Sequence, residues 1–142
     1  MASAAARRIG FIGVGNQGGP LAMRLVQAGY RITVFDLNPA ALEPFAEAGT
    51  TIARSAAEVG SVCDFVEVCV VDDAGVEEVV AGAGGLLTTM APGGIIAVHS
   101  TVLPTTCQKL AERAAARSVT LIDAAVTGGE APDWSADPGA TS

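Results

Sequence analysis

Three glycines, Gly13, Gly15 and Gly18, follow a short apolar run and precede a helical stretch, and this placement limits the fold of the 142-residue chain more than any other feature. The run at 8–14 is compact, apolar and ends in glycine, which reads as a strand. Residues 16–28 carry apolar Leu21, Leu25 and Ala28 at spacings of three and four, with Gly29 as a stop, and predict a helix with one buried stripe. Between a strand and a helix each glycine has a physical task. Gly13 permits a tight turn, Gly15 lets the backbone approach a pyrophosphate, and Gly18 lets the helix pack close to the strand. Free N–H groups at the helix start, reinforced by its dipole, then face the phosphates, with Val14, Asn16 and Gln17 completing the turn.

The same alternation continues to the end of the ordered pattern. Strands are expected at 31–36, 51–52, 64–71, 95–100 and 119–126, the run at 64–71 being the clearest central strand because it is nearly all apolar and β-branched. Helices are expected at 39–48, where Pro39 suits a first turn, at 55–62 and at 104–117. Asp72 and Asp73 stand where a further helix needs its N-cap, and Val76, Val79 and Val80 give that helix an apolar face. The glycine-rich connector 82–94 has room for one short helix at 86–90. Strands alternating with helices predict an α/β fold, a doubly wound parallel sheet in the order 3-2-1-4-5-6 with its ligand across the carboxyl ends of the strands. The expected organisation is a flexible N-terminus at 1–7, one dinucleotide-binding domain at 8–129 and an irregular tail at 130–142, where two prolines and three acids break the periodicity and Trp134 is a candidate to fold back.

Composition narrows the function. Half of the residues are hydrophobic and 16% charged, which excludes disorder over most of the chain. A formal net charge of -7 with no basic block gives nucleic acid little to bind. No apolar run approaches the ~20 residues that span a bilayer, the paired arginines at 7–8 make a weak signal peptide, and the expected compartment is the cytoplasm. Cys63, Cys69 and Cys107 are odd in number and lack paired spacing, so they read as small hydrophobes in a reducing compartment, with no metal-ligand set.

Asp36 closes the second strand 18 positions after Gly18, where a carboxylate accepts hydrogen bonds from the ribose hydroxyls of an adenosine. The competing reading is a cap for the helix that opens at 38–39. An acid at this place repels a 2′-phosphate, and Leu37 and Asn38 bring no arginine to neutralise one. NAD is therefore expected in preference to NADP.

These residues resemble the β-hydroxyacid dehydrogenase family, which includes 3-hydroxyisobutyrate dehydrogenase, tartronate semialdehyde reductase and, more distantly, 6-phosphogluconate dehydrogenase. Residues 10–22 resemble the family's opening G-F-I-G-x-G-x-M-G-x-P-M-A, with Gln17 and Leu21 in place of its two methionines. Residues 100–104 resemble its S-T-x-x-P turn. Residues 123–129 resemble D-A-P-V-S-G-G, with Ala125 for proline and Thr127 for serine. The resemblance implies a Rossmann-like cofactor domain for hydride transfer between NAD(H) and a small β-hydroxyacid or semialdehyde. It places Val70, Val71 and Gly75 beside the cofactor, Thr101 toward the nicotinamide, and Ser100, Thr127, Gly128 and Gly129 around a substrate carboxylate.

The resemblance also implies a general-acid lysine on a later helix, within a helical second domain that forms the substrate pocket and much of the dimer. The chain's one lysine, Lys109, matches no catalytic motif and reads as a solvated helix residue. No catalytic residue is assigned, and a truncated dehydrogenase that binds NAD(H) and turns over poorly alone is expected. Two other readings stay open: a stand-alone nucleotide-binding or sensing module, paired with a helical partner chain or as a homo-oligomer, and the cofactor half of an imine reductase-like enzyme. His99, the only histidine, is expected to be satisfied structurally, and Glu67, a carboxylate in a central strand, is expected to have a partner.

Overall fold

The computed structural model describes residues 8–100 and 102–124. Its elements run β1 (Ile9–Ile12), α1 (Gly18–Gln27), β2 (Ile32–Phe35), α2 (Pro39–Glu47), β3 (Thr51–Ile52), α3 (Ala56–Val62), β4 (Phe65–Val68), α4 (Asp73–Ala81), a 3₁₀ turn at Leu86–Thr88, β5 (Ile95–Val98), α5 (Pro104–Ala115) and β6 (Thr120–Asp123). The six strands form one sheet in the order β3-β2-β1-β4-β5-β6, every pairing parallel, as the alternation predicts. Chain order reverses between β1 and β4, and such a switch point opens a crevice at the carboxyl ends of the strands.

Two apolar clusters form the core. Phe11, Ala22, Ile32, Val34 and Phe45 join β1 and β2 to α1 and α2. Val59, Val66, Val68, Val76, Val80, Ile96, Val98 and Leu110 gather with α3, α4 and α5 in the other cluster. Strand residues alternate between the two, as a period of two requires: Phe11 belongs to one cluster and Ile12 to the other.

Tertiary pairing shortens several elements relative to the sequence reading. β4 ends at Val68, because its neighbours stop in the same row, Ile12 on β1 and Val98 on β5. Residues 69–71 then bend away as a loop. β5 ends at Val98 for the same reason, and β6 ends at Asp123, opposite Val98. At 86–90 only a 3₁₀ turn forms: the Thr88 and Thr89 hydroxyls bond to the carbonyls of Gly85 and Ala57, and Pro92 disfavours helical backbone just before it. In α1 the buried stripe is centred on Gly18 and Ala22, whereas Ala28 is an exposed C-cap. The small residues, four apart, let the helix axis approach the sheet, which a reading based on bulky residues does not reveal. Trp134 and the 130–142 stretch lie outside the described residues.

Candidate cofactor site

At the end of β1 the chain must turn within a few residues into α1. Gly13 has φ +93°, a left-handed value that favours glycine, and a Cβ there would collide with the Cys69 carbonyl oxygen on the neighbouring strand's extension. A Cβ at Gly18 would strike the carbonyl oxygen of Gly13. Gly15 differs, since a Cβ there would meet nothing within 4 Å. Thus Gly13 and Gly18 are small because the protein itself closes on them, and Gly15 faces open space. The helix start beside it carries no side-chain cap and no acidic residue in its first turn. Its leading N–H groups and positive dipole end suit an anion.

Asp36 sits just beyond β2 and ties this loop to the sheet. Its Oδ2 accepts from Val14 N–H at 2.9 Å and its Oδ1 from Asn38 N–H at 2.8 Å. The cap of α2 is instead Asn38, whose side chain accepts from Ala40 N–H at 3.1 Å, so Asp36 does not play the helix-cap role. Each Asp36 oxygen retains a lone pair for a further donor.

A cleft of about 570 Å³ runs along this edge. Gly13, Gly15, Asn16, Gln17, Gly18, Asp36, Val70, Val71 and Gly75 all line it. Val14 does not: its side chain is buried in the core, and its contribution is the N–H given to Asp36. Ser100 is 3% exposed and its Oγ accepts from Val70 N–H at 2.8 Å, so it supports the cleft's floor. Thr101, Thr127, Gly128 and Gly129 lie outside the described residues. Lys109 is exposed on α5, as read from the sequence.

The cleft includes residues that the sequence reading did not assign to it. Leu37, strongly exposed like the expected Val71, stands at its mouth, and Cys69, Asp72, Glu78 and Val79 complete its walls. Leu37 directly follows Asp36, and that adjacency is the sequence signal by which its place in the cleft could have been found. Burial raises the Cys69 thiol above its ordinary value, and the Glu67 carboxylate adds to the shift, so this is not an activated thiolate. Asp72 caps α4 by accepting from Gly75 N–H at 2.7 Å. All three cysteines are free, Cys63 and Cys107 within the core. Among the described residues no cluster of three metal-ligating side chains occurs, and no helix is long and apolar enough to cross a membrane.

A doubly wound parallel sheet, a glycine turn opening onto a helix start, and an acid at the end of the second strand define a dinucleotide-binding domain of the Rossmann type. Residues 8–137 match the family model of the NAD-binding domain of 6-phosphogluconate dehydrogenase, and the chain belongs to that family. Its curated relatives include 3-hydroxyisobutyrate dehydrogenases, and the chain is an NAD(P)-binding domain of this family. It is 43% identical to the 3-hydroxyisobutyrate dehydrogenase of Pseudomonas aeruginosa over 124 residues, covering 85% of this chain and 41% of that one. Identity is also 43% over 124 residues to an uncharacterized oxidoreductase of Mycobacterium tuberculosis, covering 87% of this chain and 42% of the other. Among solved structures it is similar to the Mycobacterium tuberculosis 3-hydroxyisobutyrate dehydrogenase with L-serine, with a TM-score of 0.78 and 28% identity over 87% of this chain and 41% of that chain. The chain therefore spans about two fifths of the length of these relatives.

Proposed function

We propose that the domain binds NAD(H) in preference to NADP(H) and presents it for hydride transfer to or from a small β-hydroxyacid or its semialdehyde. The observation that supports the preference is Asp36. Its carboxylate is fixed by two backbone N–H groups at the cleft, with lone pairs left for the 2′- and 3′-hydroxyls of the adenosine ribose. Among the described residues the charged ones lining the cleft are Asp36, Asp72 and Glu78, with no lysine or arginine. A 2′-phosphate would meet charge of its own sign and lose its hydration without a partner.

The open space at Gly15 and the uncapped start of α1 fit a pyrophosphate, and Val70, Val71 and Gly75 border the rest of the dinucleotide. When bound, the cofactor supplies or accepts the hydride. Ser100 holds the Val70 N–H with its oxygen and keeps its own proton as a donor. Thr101, Thr127, Gly128 and Gly129 are the further groups proposed for the nicotinamide and the substrate carboxylate, by resemblance. The names of the Pseudomonas and Mycobacterium relatives support a small carboxylate substrate. The free cysteines support the cytoplasm as compartment.

Asp36→Ala tests the assignment by calorimetric titration. Loss of the ribose hydrogen bonds should weaken NADH binding by roughly 1–3 kcal/mol, about 5- to 150-fold. Unchanged affinity would remove Asp36 from the site.

A further inference from the structure

The start of α5 is held from outside its own sequence. Its N-cap is Leu103, which offers no side-chain acceptor. In a capping box the residue three positions later would be Glu or Gln, reaching back to the N-cap N–H. That place is occupied by Thr106, and the acceptor comes from the first residue of α4. Asp73 Oδ2 accepts from Leu103 N–H at 3.1 Å and from the Thr106 hydroxyl at 2.6 Å. Asp72 already caps α4, so Asp73 is released for this long-range contact. At the other end of the same stretch, Ser100 Oγ receives Val70 N–H. The loop that lines the cleft through Val70, Val71 and Asp72 is thus pinned to Ser100 at one end and, through Asp73, to Leu103 and Thr106 at the other.

We propose that Asp73 is a positioning residue, which locks the cleft-lining loop before α4 to the start of α5 and so holds that loop in one arrangement against the dinucleotide. This rests on the cofactor reading above. If Asp73 were only a remote stabiliser of α5, any local cap would repair its loss. Leu103 is 63% exposed and has extended backbone, so Leu103→Asp supplies such a cap without restoring the link to α4.

The full chain, Asp73→Ala and Asp73→Ala/Leu103→Asp are compared by urea midpoint, by amide exchange at Val70 and by NADH titration. Asp73→Ala is expected to lower the midpoint, speed Val70 exchange and weaken NADH binding about tenfold. The double variant is expected to recover the midpoint while NADH binding stays weak and Val70 exchange stays fast. Recovery of binding and protection together with stability would overturn the proposal, as would an Asp73→Ala variant that binds like the parent. Should the parent itself not bind NADH, the cofactor reading fails, and Val70 exchange alone decides: protection as in the parent for the double variant overturns the lock, and fast exchange upholds it. Should Asp73→Ala not fold, Thr106→Val, which deletes one of the two bonds, is read by the same three measurements.

Discussion

His99 Nε2 lies 2.8 Å from Glu67 Oε1, so the chain's single histidine and the carboxylate inside β4 are each other's partner. Glu67 sits in register between Phe11 of β1 and Ala97 of β5, and His99 follows two residues after Ala97 on the same face. The Phe11 ring stacks on the imidazole with centroids 6.4 Å apart and planes 5° from parallel. Among the described residues His99 Nδ1 is buried without a partner. The tautomer with its proton on Nε2 therefore donates to Glu67 and leaves only a lone pair unmet.

Glu67→Ala should leave the imidazole unpartnered on both nitrogens and cost about 1–3 kcal/mol in urea unfolding. Replacing both residues with leucine should cost less than Glu67→Ala, because no buried polar group is then stranded. Neither side chain lines the cleft, so NADH affinity should stay at the parental value in all variants that fold. A large loss of binding at full stability would give the pair a role in the site.

The glycines separate into two kinds of defect. Gly18→Ala places a methyl against the Gly13 carbonyl oxygen and should lower the melting temperature before any ligand is added. Gly15→Ala meets no protein atom within 4 Å, so its melting curve should match the parent, while NADH binding weakens at least tenfold. Thermal melts with and without NADH read both effects. Gly15→Ala that binds normally would move the pyrophosphate elsewhere.

Asp73 gives the fold a pH signature. The Thr106 hydroxyl, and after it the Leu103 N–H, hold its carboxyl below the ordinary 3.8. A group lowered in the folded state contributes stability above its unfolded value and loses it as pH falls through the folded one. The urea midpoint should therefore fall as the pH drops below 3.8, and Asp73→Asn should reduce that fall. An equal drop in both proteins would assign acid sensitivity to other carboxylates.

Thr51 and Ile52 were legible as a strand, and the glycine turn, Asp36 and the strand order followed from alternation and spacing. Element ends were less legible, because β4 stops where its neighbours stop rather than where its apolar run ends. Glu67 and His99 were each conspicuous alone, yet their pairing depends on parallel register across 32 residues, which no local pattern encodes. Asp73 read as part of a helix cap, and its contact with Leu103 and Thr106 depends on how two helices approach. Cys69 joins the cleft only because the chain bends after Val68.

The most direct test is calorimetric titration of the 142-residue chain with NADH and, separately, with NADPH. The fixed carboxylate of Asp36 and the acid-lined cleft predict saturable binding of one NADH per chain, with NADPH at least tenfold weaker. Tighter binding of NADPH, or no binding of either dinucleotide, would contradict the account.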